Sequence, residues 1–362
     1  MANIVTMLKS RIWITALLIA VMATAAAPTD TTPDAGAYPP TGALVDIGGY
    51  KLHIHATGKG RPTVILIAGA GDFSFDWSLV QPEVSQFARV ASYDRAGVAW
   101  SDLGPTPRTM TQEAYELHLL LRKSGLPAPY IVVGHSVGGL IARVYASRYP
   151  QEVAGMVLVD STHEDTTLMY QGKLVRIRGT AQARPIPPVQ TMKTSPPKPP
   201  TEEDKKQAEF NAKLFGAPKI ERPFDKLPPH VQKTRLWMLA HPKLSAATDD
   251  YWPEELQAMY VARSADPVPL GDKPLIVLLA SGKGDTAPPE ISAEEWKRLG
   301  DEKRREKEGM VSLSRNHELI VAEQSGHHIQ LDEPQLVVKA IRQVVESVRK
   351  HTRLSADSRG AN

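Results

Sequence analysis

The sequence predicts an α/β fold, a mostly parallel eight-stranded sheet with helices on both faces, and three observations lead there. Short apolar runs such as Thr63–Ala68 and Val153–Val159 carry almost no polar residue, as expected of strands buried on both faces of a sheet. They alternate with helical stretches: Thr111–Lys123, with Leu117, Leu120 and Leu121 on one side, Gly139–Tyr149, stopped by Pro150, and Glu333–Arg349. The alternation breaks once, after the sixth strand, and then resumes.

Taken in order, residues 1–27 read as a secretory signal. Lys9 and Arg11 precede an 11-residue apolar run, Ile12–Met22, and small residues Ala23–Ala27 follow. That run falls short of the roughly 20 residues a membrane span needs, so export without a stable span in the mature form is expected, periplasmic or secreted. An uncleaved anchor is the alternative, and terminal sequencing of material from an exporting host separates the two. Residues 28–41, rich in Pro, Thr and Asp, read as a disordered tether. Gly42–Ile47 and Tyr50–Ala56 form a hairpin around Gly48-Gly49, and Arg89–Tyr93 and Tyr130–Val133 are further strands. Leu275–Ala280 and Glu318–Ala322 complete the sheet, with a charged helical stretch between them. The core thus comprises residues 42–160 and 274–352. Residues 161–273 are an insertion read as a helical cap: Arg184–Pro200 is too Pro-rich for regular structure, and helices are expected at Glu202–Leu214, His230–Leu239 and Glu254–Ala262.

Composition removes several classes of function. A formal charge of +3, without a basic cluster, is no footprint for nucleic acid. With no cysteine in the chain, disulfides, zinc–thiolate sites and a thiol nucleophile are excluded. No metal or organic cofactor is implied.

The chemistry is concentrated at Gly134-His135-Ser136-Val137-Gly138, between a strand and a helix. In that setting G-x-S-x-G forms a tight turn, where glycines avoid collisions and a strained serine projects its hydroxyl above the sheet edge. The N-terminus of the following helix then faces any oxyanion that develops.

Together with Ala68-Gly69-Ala70-Gly71, Tyr93-Asp94-Arg95-Ala96-Gly97 and Ser325-Gly326-His327, this motif makes the chain resemble the α/β-hydrolase superfamily over nearly everything after residue 42 except the cap. The resemblance implies an α/β-hydrolase fold and a triad in the order Ser…acid…His: Ser136 as nucleophile and His327, directly after a glycine on the loop past the last strand, as general base. His328 is its rival. Two acids remain open: Asp160, at the end of Gly155–Val159, is preferred, and Asp285, in Gly282-Lys283-Gly284-Asp285, is the alternative. The resemblance also implies an oxyanion hole from the backbone N–H groups of Val137 and Ala70. Asp94 reads as structural, His135 as a packing residue pointing away from the site, and His53 and His55 as remote. His163 is either a pocket residue or an exposed loop residue. Glu202, Glu203, Glu254 and Glu255 read as solvated rather than as holders of a substrate amino group.

The expected function is hydrolysis of a small-molecule carboxylic ester, less readily an amide, through an acyl-enzyme. Two alternatives stand: a hydrolase-like binding protein with little turnover, and a cofactor-free lyase or oxygenase of the same fold.

Overall fold

A computed structural model describes residues 38–191, 218–240, 251–289 and 291–354. Eight strands form one sheet: β1 (Ala43–Asp46), β2 (Lys51–Thr57), β3 (Thr63–Ile67), β4 (Val90–Tyr93), β5 (Tyr130–His135), β6 (Val153–Val159), β9 (Leu275–Ala280) and β10 (His317–Ala322). Their spatial order is β1-β2-β4-β3-β5-β6-β9-β10. The β1–β2 and β2–β4 pairs are antiparallel; all the others are parallel.

The central strands are buried on both faces because their side chains alternate between two cores. Ile65, Ile67, Tyr130 and Val132 join one core with Leu117, Leu120, Leu140 and Ile141, from the helices α2 (Met110–Lys123) and α3 (Val137–Arg148). Val64, Leu66, Ile131 and Val133 join the other, beneath Val337, Ile341, Val344 and Val345 of α8 (Pro334–Lys350). Each such side chain, fully buried, contributes about 1.5–3 kcal/mol. The short α1 (Gln81–Ser85) lies on the α8 face and adds Val84.

Between β6 and β9 the chain leaves the sheet. Its described parts are a separate antiparallel hairpin, β7 (Thr167–Tyr170) and β8 (Lys173–Arg176), and the helices α4 (Pro229–Leu239) and α5 (Trp252–Ala265). The hairpin was not expected from the sequence; Gln171 and Gly172, both at positive φ, make its two-residue turn. The remaining helices are α6 (Ala293–Glu308), α7 (Ile329–Asp332) and α8.

Glu254 and Glu255 correct the expectation of solvated side chains. Both are buried at the start of α5. Glu255 accepts from the N–H groups of Met110 (2.6 Å) and Thr111 (2.9 Å), two orphan donors at the start of α2. Glu254 pairs with Arg184 at 2.8 Å and accepts from the N–H of Gln182 at 3.0 Å. Glu255 thus fastens the insertion to the core, while Glu254 ties together two stretches of the insertion itself. The leader, most of the tether, the Glu202–Leu214 helix and Glu203 lie outside the described residues. Tyr38, within the expected tether, is docked: its carbonyl accepts from Trp100 Nε1 at 2.8 Å and its ring packs on Trp237. No helix among the described residues is long and apolar enough to cross a membrane.

Candidate active site

Ser136 sits between the last residue of β5 and the first of α3 with φ 53° and ψ −123°, a region that non-glycine residues avoid. The cost, about 1–3 kcal/mol, is borne because the surroundings leave no alternative. A methyl added at Gly134 would fall 2.5 Å from the Cα of Gly139, and one at Gly138 would fall 2.8 Å from the carbonyl oxygen of Ala68. Only glycines let strand, helix and the loop after β3 approach this closely.

Asp160, directly after β6, and His327, on the loop after β10, come together: His327 Nδ1 lies 2.6 Å from Asp160 Oδ2. Asp160 Oδ1 accepts from the N–H of Ala280 at 3.1 Å, and Lys307 Nζ of α6 also reaches Oδ2, at 2.6 Å. Burial would raise this carboxyl, but Lys307 and the His327 hydrogen bond outweigh it and hold Asp160 well below the usual carboxylate range. An ionised carboxylate only accepts, so Nδ1 carries the proton and Nε2 keeps its lone pair. Burial lowers the His327 imidazole more than the Asp160 hydrogen bond raises it, and the neighbouring His135 and His328 push the same way. Because 38% of this side chain is accessible, water tempers the burial, but the direction holds: a neutral ring at neutral pH.

Asp285 stands apart. No hydrogen bond joins it to His327 among the described residues; its Oδ1 lies against Gly326, where an added methyl would be 2.6 Å away. Burial and the nearby Asp160 charge raise its carboxyl.

His135 corrects the expectation of a residue pointing away from the site. Its ring centroid is 4.7 Å from that of His327 and 4.9 Å from that of His328. Its Nε2 is 3.0 Å from the carbonyl oxygen of His327, and its Nδ1 is 3.0 Å from Asp72 Oδ2. His328 Nε2 faces the other Asp72 oxygen at 3.6 Å. Asp72, His135 and His328 are the one group among the described residues whose ligating atoms cluster within 4.8 Å. Arg235 of α4 adds a positive charge 3.8 Å from Asp72, so protein groups already answer the carboxylate. The trio ties the serine turn to the His327 loop. Its place immediately before Ser136 was the one sequence signal for His135.

The residues read as peripheral fall as follows. His53 and Asp94 form a buried pair at 2.7 Å, and Asp94 also accepts from the N–H of Ser74 at 2.8 Å. His55 is half-buried and lowered by burial. His163 is largely enclosed beside Glu164, at 3.4 Å, not exposed on a loop.

The loop after β3 carries Ala70. A methyl at Gly69 would lie 3.1 Å from Ser136 Cβ, so this loop borders the serine directly. Arg95 holds it: Nη1 donates to the carbonyl of Ala68 at 2.6 Å and Nη2 to that of Gly69 at 3.0 Å. The Gly69 carbonyl and the Ala70 N–H belong to one trans peptide and point in opposite directions, so the Arg95 grip also aims that N–H. Val137 opens α3, and its N–H has no partner one turn earlier. Sequence reading treated the Asp94-Arg95 turn as structural and missed this link. If Ala70 N–H serves as an oxyanion donor, as the resemblance implies, Arg95→Met is expected to lower kcat by about 10–10²-fold with KM little changed. Steady-state kinetics on an activated ester checks it, and a change confined to KM would contradict it.

The family model for the α/β hydrolase fold matches residues 62–334. The chain belongs to the α/β-hydrolase superfamily. An AB hydrolase superfamily protein of Gibberella zeae is 27% identical over 299 residues, covering 80% of this chain and 88% of that one. Against several other curated relatives the chain spans less than half of the relative's length. A thermophilic esterase from Thermogutta terrifontis superposes with a TM-score of 0.55 at 20% identity, over 83% of this chain and 94% of that one. The epoxide hydrolase CorEH gives 0.55 at 16% identity, over 85% and 98%. At such identities the likeness is one of fold.

Proposed function

We propose that this hydrolase cleaves a carboxylic ester through an acyl-enzyme on Ser136. The observation that carries the reading is the Asp160–His327 pair at 2.6 Å, with His327 packed on His135, the residue before a serine strained at the head of a helix. His327 Nε2 takes the Ser136 proton as Oγ attacks the ester carbonyl carbon. The carbonyl oxygen, now carrying the electron pair, is met by the N–H groups of Val137 and Ala70. The tetrahedral species collapses, the C–O bond breaks, and the alcohol leaves with the proton from His327. Water then repeats the sequence, its proton passing to His327, and the carboxylic acid departs from a regenerated Ser136. Asp160 stays ionised throughout, fixing the tautomer and stabilising the imidazolium.

Among the fold's relatives the esterase fits this chemistry better than the epoxide hydrolase. Epoxide opening in this superfamily uses a carboxylate at the elbow, where this chain has Ser136. We also propose that the insertion over residues 161–273 governs substrate choice, since Arg235 and the Phe224 ring it covers at 3.5 Å lie beside the His135–His328 cluster. Export, resting on the leader alone, is part of the same proposal.

Turnover of p-nitrophenyl esters of graded acyl length, with fluorophosphonate labelling of the same preparation, tests the reading. Saturable hydrolysis and stoichiometric labelling are expected. No hydrolysis of any ester together with no labelling would overturn it and favour the binding-protein alternative.

A further inference from the structure

The acid partner of His327 is itself held by a cation. Asp160 Oδ2 lies 2.6 Å from both His327 Nδ1 and Lys307 Nζ, while the N–H of Ala280 binds only Oδ1. Lys307 comes from the last turn of α6, the helix between β9 and β10, and its side chain is 16% accessible. We propose that Lys307 is a positioning residue: its ammonium shares one carboxylate oxygen with His327, fixes the direction of Asp160 and sets how much of the acid's charge the imidazole feels.

This inference rests on the reading of Ser136, His327 and Asp160 given above. Its physical basis is competition at one atom. An ammonium on Oδ2 orients the carboxylate and at the same time withdraws charge that would otherwise stabilise an imidazolium. Lys307 and a protonated His327 are like charges meeting at the same oxygen, so the lysine favours the neutral, proton-accepting ring. The other titratable groups around the pair are His135 and His328 beside His327, and Lys303 and Asp285 beside Asp160 and Lys307, with Glu306 acting on Lys303 and Asp332 on Asp285. None of these donates to Asp160 Oδ2 among the described residues, so Lys307 is the group whose removal changes that oxygen directly.

Lys307→Met keeps most of the side-chain volume and removes the charge; Lys307→Gln is a second neutral variant with different packing. The acidic limb of the kcat/KM profile on p-nitrophenyl acetate is expected to move upward by about one pH unit in either neutral variant, and to return toward wild type in Lys307→Arg. NMR titration of the His327 ring in a Ser136→Ala background should show the same displacement without any turnover. That second readout separates this inference from the ester reading, because it survives even if no ester is cleaved. A purely structural lysine would lower the melting temperature and activity while leaving both titrations in place. An unmoved His327 titration in a folded neutral variant overturns the proposal, and so does a displacement that Arg fails to reverse.

Discussion

Ser136→Ala is expected to lower ester turnover by about 10⁶-fold, the scale on which losing the nucleophile alone, or the whole triad, lowers turnover in a serine protease. The size follows from the division of labour. Without Oγ no acyl-enzyme forms, and His327 has no hydroxyl to deprotonate. On the proposed mechanism, what remains is binding and the Val137 and Ala70 N–H groups, which would still favour a tetrahedral species formed by water. Folding should survive and stability can rise, because alanine at φ 53° is no more strained than serine and the cavity loss is one oxygen. Rates on an activated ester, with circular dichroism and melting as controls, decide the matter. Loss of less than about tenfold would mean that Ser136 is not the nucleophile.

Asp160→Asn comes next in size, at about 10⁴-fold in kcat. An amide in place of the carboxylate can offer its NH₂ to Nδ1, which then accepts; the proton moves to Nε2, and the ring can no longer take one from Ser136. A second consequence is specific to this protein. Lys307 loses the anion 2.6 Å away and becomes a largely enclosed, unanswered charge, so the variant should also melt lower. Kinetics are therefore compared well below its melting temperature. Asp285→Asn is expected to lose less than about tenfold, since no hydrogen bond joins Asp285 to His327 among the described residues and burial already disfavours its charge. The reverse ranking would transfer the orienting role to Asp285; small and similar losses would dissolve the triad.

The contrast between these two aspartates shows how far the sequence could be read. The sheet was legible because strands such as Thr63–Ile67 are continuous apolar runs and α8 carries its apolar stripe at helical spacing. Ser136 stood out as a candidate because glycines surround it for a steric reason, whereas His327 was reached only through the family resemblance, which puts a histidine directly after a glycine. Asp160 and Asp285 both end a strand or follow one, and choosing between them needs the distance across the sheet, which no local pattern contains. Arg95, His135 and Lys307 were missed for the same reason: they act on residues 26 to 192 positions away. Glu254 and Glu255 misled because an acidic pair at a helix start looks solvated until the partners, Arg184 and the first turn of α2, are folded against it. The β7–β8 hairpin was overlooked although Gln171-Gly172 between two short alternating segments is a turn signal.

The covalent intermediate on Ser136 is the most direct test of the proposed mechanism. A p-nitrophenyl ester reaction quenched in acid during its first turnovers, digested and mapped by mass spectrometry, reports where the acyl group resides. One acylated peptide is expected, the one bearing Ser136, with the modification lost as hydrolysis is allowed to run on. Sustained ester turnover with the acyl group on another residue, or with no acylated protein at any quench time, would contradict it.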